Sequence, residues 1–332
     1  MKLISLLTLL PVILGWTATA NEILRPKVLV VATFEIGADT GDRPGEFQFW
    51  AEREHLTNSL HVPGVDHPLR FNDAGVYGAV SGTTVRSALQ IMALVNDPRL
   101  DLRHTYWLVN GIAGVDPENA SVGSAAWARW VVDGDIAYEI DSREAQADWP
   151  YGLVPIGGKK PNEISEYALW SPKPMAWKLN PALVNWAFAL TKDVPLTDTP
   201  AAQAHRALFT AWPAAQAPAK VLLGESLGSC RYWHGTTMTK WANDWTKLHT
   251  HGEGDFTMTD MEDQGIANAL DRLGKLGKVD FRRVLFLRTG SNYCCPHPGQ
   301  SSADSMTAEY QGSLPALESA YAVGSKVVHE LV

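Results

Sequence analysis

The stretch TDMEDQGIANALDRLGKLGK, residues 259–278, joins acidic residues and a methionine to the start of an amphipathic helix. Its apolar residues recur at helical spacing, so one face is predicted to pack on a core. Thr259 followed three residues later by Glu262 fits a capping box, in which both side chains accept hydrogen bonds from free backbone N–H groups. The alternative is that the helix start holds Glu262 toward the hydroxyl groups of a ligand. Both roles remain open at this point.

The N-terminal segment MKLISLLTLLPVILGWTATA is typical of a secretory signal. It has a lysine near its start, a long apolar run and small residues before a cleavage point after Ala20. We therefore expect a signal peptide at residues 1–20, a domain at residues 21–332, and a secreted or periplasmic protein. After residue 20 no apolar run approaches the roughly 18 residues of a spanning helix, so we expect no stable membrane insertion.

The composition limits the remaining classes of function. A formal net charge of −8 does not favour nucleic acid as a partner, and 45 % hydrophobic residues in 332 can fill one large α/β domain or two smaller ones. Three cysteines are too few for a disulfide scaffold. One bridge from Cys230 to Cys294 or Cys295, or three free thiols, are both compatible with the sequence. The Cys294–His297 cluster lacks a second ligand pair, so no metal is predicted.

Three strands are predicted to end in polar or small-residue segments. Residues 27–34 form a β-rich run that delivers Glu35, with Asp39 as an alternative, to one end of a sheet. Residues 75–82 predict a strand and a glycine turn before a helix, and such a helix start can bind an anion. Residues 104–109 predict a strand that runs into a small-residue loop, NGIAG, which lets a ligand approach the backbone closely.

The order of these segments resembles a known group of proteins. The chain carries a Glu loop after the first strand, then SGTTVRSA, VNGIAGVDPENASVG, DMEDQGIANA and VLFLRTGSNY. This order resembles the nucleoside phosphorylase and nucleosidase superfamily, and within it the purine nucleoside permease family. The resemblance covers essentially all of residues 21–332. It implies an α/β, single-domain, three-layer nucleoside-phosphorylase-like fold, with a central mixed, twisted sheet flanked by helices.

The resemblance also implies a site for a purine nucleoside, with no cofactor and no metal. Glu262 and Met261, preceded by Asp260, are expected at the ribose. Ser291 and Asn292 are expected at the purine, where Asn292 would act through its amide and favour 6-oxopurines. The other substrate-binding residues implied are Tyr232 or Trp233, which would stack on the base, and Gly82, Ala113 and Gly114.

The nucleophile decides between hydrolysis and phosphorolysis. Phosphate-using relatives carry an arginine before the small-residue loop and another after the first strand, where this chain has Val109 or Asn110 and an FEIGADT loop without arginine. Hydrolytic relatives have a glutamate on the first-strand loop that activates water, and Glu35 is the candidate here. The sequence thus predicts a purine nucleosidase.

Two alternatives remain for the function. One is a nucleoside-binding protein that assists transport. The other is a phosphorylase whose phosphate ligands come from Arg86 or from a neighbouring subunit. The resemblance also makes a homo-oligomer possible, because many relatives share sites between subunits.

Overall fold

The structure, a computed structural model, describes residues 23–164 and 173–332. The expected signal peptide at residues 1–20 lies outside them. The strands are β1 (Val28–Ala32), β2 (Asn58–Leu60), β3 (Leu69–Phe71), β4 (Val76–Val80), β5 (Tyr106–Val115), β6 (Ala125–Trp127), β7 (Trp130–Asp133), β8 (Ala137–Glu139), β9 (Leu153–Pro155), β10 (Ala176–Lys178), β11 (Val221–Leu223), β12 (Glu225–Gly228), β13 (Phe256–Asp260) and β14 (Val284–Tyr293). The helices are α1 (Gln48–Arg53), α2 (Val85–Asn96), α3 (Pro181–Thr191), α4 (Pro200–Ala207), α5 (Pro213–Gln216), α6 (Thr236–His249), α7 (Asp263–Lys275), α8 (Ser302–Thr307) and α9 (Ser313–Leu331).

The large sheet is mixed and its middle is β5. In this sheet β5 pairs in parallel with β1 and β14 and antiparallel with β13, and the path continues through β4 on one side and β12 and β7 on the other. Helix α9 packs on β5 and β14, while α7 packs on α2, β12 and β7. The predicted fold class, a central mixed sheet flanked by helices, is confirmed. Within the described ranges no helix is long and apolar enough to cross a membrane.

Strand β5 shares one of its edges between two partners. Strand β1 pairs with β5 up to Val109, and β13 pairs with β5 from Gly114 onward. Between them, residues 110–113 have neither strand on that edge, although β14 continues alongside on the other. Ile112 therefore needs a different hydrogen-bond partner on that side, since buried backbone groups are rarely left unpaired. This gap positions the site described below.

The predicted NGIAG loop is wrong, because residues 110–114 lie inside β5. Strand β14 pairs with them on one edge, and the small residues Gly111, Ala113 and Gly114 leave room beside the strand. Gly111 shows how narrow that room is. A Cβ atom there would lie 2.4 Å from both the Arg288 Nη1 atom and the Glu46 Oε1 atom.

The junction between β13 and α7 also differs from expectation. The predicted apolar face of the helix is confirmed, since Ile266, Leu270 and Leu273 are fully buried. The predicted capping box is not formed, because Thr259 lies in β13 and pairs with Gly114. The cap comes from Asp260, described with the site below.

All three cysteines are free thiols, so the bridge left open above is not present. Cys230 is exposed, whereas Cys294 and Cys295 are buried.

Candidate functional site

A cavity of about 290 Å³ lies beside the C-terminal halves of β5 and β14 and the end of β13. Its volume is close to the lower end, about 300 Å³, of typical small-molecule sites. Nine of the eleven site residues predicted from the sequence line it: Ala113, Gly114, Tyr232, Trp233, Asp260, Met261, Glu262, Ser291 and Asn292. The structure thus brings together residues that are up to 179 positions apart in the chain, from Ala113 to Asn292 (292 − 113).

Glu35 and Gly82 do not line the cavity. The Oε1 atom of Glu35 accepts hydrogen bonds from the backbone N–H groups of Ile36 and Gly45, and its Oε2 atom accepts from those of Phe47 and Gln48. Glu35 therefore holds its own loop and the start of α1. Gly82 has a φ of +73°, which suits a glycine turn, and the next residue, Thr83, lines the cavity instead.

Glu46 is the carboxylate that this loop places at the cavity. Its Oε2 atom accepts from the Thr33 N–H at 2.8 Å and the Thr33 hydroxyl at 2.7 Å, just after β1. Its Oε1 atom accepts from the Ile112 N–H at 2.7 Å. The side chain of Glu46 thus fills the gap between β1 and β13 and pairs with the edge of β5.

Arg288 reaches the same gap from β14. Its Nη1 atom donates to the Ile112 carbonyl at 3.3 Å and lies 3.8 Å from the Oε1 atom of Glu46. Only 1 % of the Arg288 side chain is exposed. The two polar backbone groups of Ile112 are therefore satisfied by a carboxylate and a guanidinium that face each other.

Four carboxylates surround this one guanidinium. Arg288 pairs with Asp263 through two of its nitrogens, and its Nη2 atom lies 3.4 Å from Glu262 and 3.8 Å from Asp260, with Glu46 as the fourth. Burial raises the pKa of Glu46, and raises that of Glu262 well above its usual range, and Arg288 offsets only part of this effect. Because these groups share one buried site, the protonation of each carboxylate depends on that of the others.

Asp260 and Asp263 share the hydroxyl of Ser226. That oxygen lies 2.6 Å from Asp260 Oδ2 and 2.7 Å from Asp263 Oδ2, yet a hydroxyl has only one hydrogen to donate. Burial raises the pKa of Asp263 to about 7. Burial also acts on Asp260, but Arg288, Ser226 and two backbone N–H groups outweigh it and lower that pKa. A proton on Asp263 lets it donate to Ser226, which then donates to ionised Asp260.

Asp260 also caps α7. Its Oδ1 atom accepts from the backbone N–H groups of Glu262 at 2.9 Å and Asp263 at 2.7 Å. Glu262 makes no side-chain cap. Its Oε2 atom accepts from the Met261 N–H at 2.8 Å and contacts Arg288. These contacts use Oε2, so Oε1 remains for a ligand.

A second set of polar side chains, separate from the carboxylates, comes from β14 and from the segment after β12. The Ser291 hydroxyl lies 2.8 Å from the Asn292 Oδ1 atom and 3.1 Å from the Ala113 carbonyl. The Asn292 Nδ2 atom lies 3.4 Å from the Tyr232 hydroxyl, which is 2.9 Å from the hydroxyl of Tyr310. The cavity thus has a carboxylate end and an end with an amide and two phenols.

The two aromatics proposed for stacking have different surroundings. Trp233 is 8 % exposed and its ring contacts those of Trp241 and Phe256, so it belongs to the core that supports the cavity. Tyr232 is 44 % exposed at the cavity and lies parallel to the His234 ring at a centroid distance of 6.5 Å. Of the two, only Tyr232 has substantial freedom to meet a ligand.

A family profile described as purine nucleoside permease (NUP) matches residues 25–332. The chain belongs to the purine nucleoside permease family. A probable purine nucleoside permease from Schizosaccharomyces pombe is 27 % identical over 304 residues, which cover 88 % of this chain and 84 % of that one. A purine nucleoside permease from Candida albicans is 25 % identical over 327 residues, which cover 93 % and 76 % respectively.

Solved structures place this permease-family chain on the nucleosidase fold. A 5′-methylthioadenosine/S-adenosylhomocysteine nucleosidase from Helicobacter pylori, solved with butyl-thio-DADMe-Immucillin-A, aligns with a TM-score of 0.57 and 12 % identity. The alignment covers 92 % of this chain and 98 % of that one. A futalosine hydrolase from the same species aligns with a TM-score of 0.54, 12 % identity and coverage of 93 % and 98 %. The likeness concerns the fold.

Arg288, Glu46 and Tyr310 are among the site residues that the sequence did not predict. Arg288 lies in the segment VLFLRTGSNY, but the sequence gives no sign of how deeply its side chain is buried. Glu46 follows a long polar loop, and the sequence of that loop does not show that Glu46 lies next to β5. Tyr310 lies in an irregular segment between α8 and α9. Among the described residues no group of three or more His, Cys, Asp or Glu forms a metal site.

Proposed function

We propose that the cavity binds a purine nucleoside and that water cleaves its N-ribosidic bond, releasing free base and ribose. The observation that carries this proposal is the position of Glu46, held in the gap of β5 with Arg288 beside it. Burial raises the pKa of Glu46, and a carboxylate with a higher pKa is a stronger base toward a water molecule. Glu46 takes the role that the sequence assigned to Glu35.

The remaining roles follow from the two ends of the cavity. Glu262 accepts hydrogen bonds from the ribose hydroxyls through its Oε1 atom, and Met261 packs against the sugar. Asn292 lies at the purine with Ser291 behind it. Negative charge near the sugar stabilises the positive charge that develops there when the bond to the base breaks. This arrangement supports the cleavage of a nucleoside as well as its binding.

The charges at the cavity favour water over phosphate as the nucleophile. Three acidic residues line it, namely Glu46, Asp260 and Glu262. The one cation among the described lining residues is Arg231, which pairs with Glu139. Arg288 is enclosed by carboxylates, so its charge is already compensated. The described lining therefore offers no unpaired arginine to hold a phosphate dianion.

Purified protein incubated with inosine, with and without phosphate, tests this proposal. We expect hypoxanthine and free ribose at equal rates in both conditions. Formation of ribose 1-phosphate, or a strict need for phosphate, would instead establish a phosphorylase. Glu46→Gln should lower kcat by on the order of 100-fold or more, as expected for loss of a general base. Glu144→Gln, at an exposed glutamate, is the matched control and should keep full activity.

Binding without turnover is the second candidate function. The observation that favours it is Asn292 at the base end, since an amide has no acidic proton to give to a departing purine. Calorimetry with inosine in the same buffers separates the two functions. A tight complex from which no hypoxanthine is released would establish a binding protein and would contradict the hydrolase.

A further inference from the structure

The amide of Asn292 has no N–H left for a purine. One hydrogen of its Nδ2 atom is donated to the Tyr293 carbonyl at 3.1 Å, and the other points to the Tyr232 hydroxyl at 3.4 Å. The hydroxyl of Ser291 is also engaged, with the Asn292 Oδ1 atom at 2.8 Å and the Ala113 carbonyl at 3.1 Å. Asn292 can therefore accept a hydrogen bond from a base, but its donors are committed elsewhere.

For the Tyr232 hydroxyl the acceptor sites are occupied and the donor is free. Its oxygen accepts from Asn292 Nδ2 at 3.4 Å and from the Tyr310 hydroxyl at 2.9 Å. Both contacts use its lone pairs and leave its single hydrogen available. A hydroxyl that accepts hydrogen bonds becomes a better donor, because hydrogen bonds in a chain polarise one another. All three side chains line the cavity.

We propose that the Tyr232 hydroxyl donates a hydrogen bond to the departing purine, and that Tyr310 and Asn292 are the positioning residues that orient it. The inference rests on the proposed hydrolysis. It assigns the function of Tyr232 to its hydroxyl rather than to stacking by its ring. The acceptor on the substrate is the N7 atom, which carries much of the charge that develops as a purine leaves. This hydrogen bond should matter for nucleosides of purines whose N7 is unsubstituted.

Tyr232 acts in this step without giving up its proton. The C1′–N9 bond breaks and its electron pair moves onto the purine. The water oxygen forms the new bond to C1′, and its proton passes to Glu46. The purine leaves as an anion stabilised by the hydrogen bond and takes a proton from solvent afterwards. Burial raises the pKa of Tyr232, which keeps the phenol protonated throughout.

The test compares Tyr232→Phe with the wild type on two substrates, inosine and 7-methylinosine. The purine of 7-methylinosine is already cationic and leaves without negative charge. For inosine we expect kcat to fall on the order of 100-fold, as when one donor to a developing anion is removed, with little change in KM. For 7-methylinosine the two proteins should agree within about twofold. Tyr310→Phe should show a smaller loss with the same substrate pattern.

Tyr106→Phe, at the opposite end of β5, is the matched control and should leave both substrates unaffected. Full activity of Tyr232→Phe on inosine would overturn the proposal, as would equal losses on both substrates, which would indicate a structural role. If the wild type binds inosine but cleaves neither substrate, the proposed hydrolysis itself is wrong and this role falls with it.

Discussion

Asp260 and Glu262, which precede the first residue of α7, make different contacts. Asp260 satisfies two free N–H groups of the helix, and Glu262 leaves one oxygen toward the cavity. We therefore expect Glu262→Gln to affect activity much more than stability. The amide oxygen can keep the contacts of Oε2, but an NH2 group then stands where ribose hydroxyls need an acceptor. The value of kcat/KM for inosine should fall on the order of 100-fold, and the free energy of unfolding by less than about 1 kcal/mol.

Deoxyinosine provides the control for that prediction. If Glu262 binds the ribose hydroxyls, a substrate that lacks the 2′ hydroxyl should lose less from Glu262→Gln than inosine does. Equal losses for the two nucleosides would remove Glu262 from that hydroxyl. Retained activity within severalfold would remove it from the sugar altogether.

Glu262 and Asn292 were expected in the site from the resemblance to the nucleoside phosphorylase and nucleosidase superfamily, and both line the cavity. Glu46 was missed because the ten residues 36–45 separate it from Glu35, and nothing in their sequence shows where the loop turns back toward β5. Glu35 follows β1 as expected, but it does not line the cavity, and both of its oxygens bind the backbone of its own loop.

At the scale of single elements, the open edge of β5 is the feature that builds the site. Gly111→Ala tests it, because the new Cβ atom would lie 2.4 Å from Arg288 Nη1 and 2.4 Å from Glu46 Oε1. Both side chains are held by hydrogen bonds to Ile112 and cannot move without breaking them. We expect a loss of stability of about 1 to 3 kcal/mol, as for other overpacked cores, and a kcat reduced at least tenfold.

Gly274→Ala is the matched control for this change. Gly274 lies within α7, and its nearest neighbour would be 3.5 Å from the new Cβ atom, an ordinary contact. A helical Gly→Ala change there should raise the free energy of unfolding by up to about 1 kcal/mol and leave kcat unchanged. Urea unfolding and inosine assays of both variants decide the point. A Gly111→Ala protein with normal stability and activity would show that Glu46 and Arg288 are not confined.

The boundaries of strands were harder to predict where pairing with distant strands decides the local structure. NGIAG has the composition of a turn, yet β14 beside it and β13 at its end make it part of a strand. Threonine is a common helix cap, yet Thr259 pairs with Gly114 and therefore belongs to β13. In both cases long-range pairing outweighed local preference, and a single sequence does not reveal such pairing.

For the molecule as a whole, the order of the motifs indicated a family resemblance. That resemblance implied the fold class and most of the predicted residues that line the cavity. What it did not predict was the charge balance at the centre, where one arginine faces four carboxylates. That balance depends on burial, and burial is a property of the assembled fold. The sequence identifies the charged residues, but it does not show how many of them are buried together in one site.

Buried carboxylates should also make global stability depend on pH. Burial raises the pKa of Asp133 from 3.8 to about 6, so the folded state binds a proton more tightly than the unfolded state. The resulting stability is complete below pH 3.8 and is lost as pH rises through about 6. Asp133→Asn removes this titration while its amide oxygen can still accept the Asp135 N–H. Urea unfolding should therefore give similar free energies for variant and wild type near pH 3.8, and a variant more stable by about 2 to 3 kcal/mol above pH 7. Curves that stay parallel across this range would show that Asp133 titrates alike in the folded and unfolded chain.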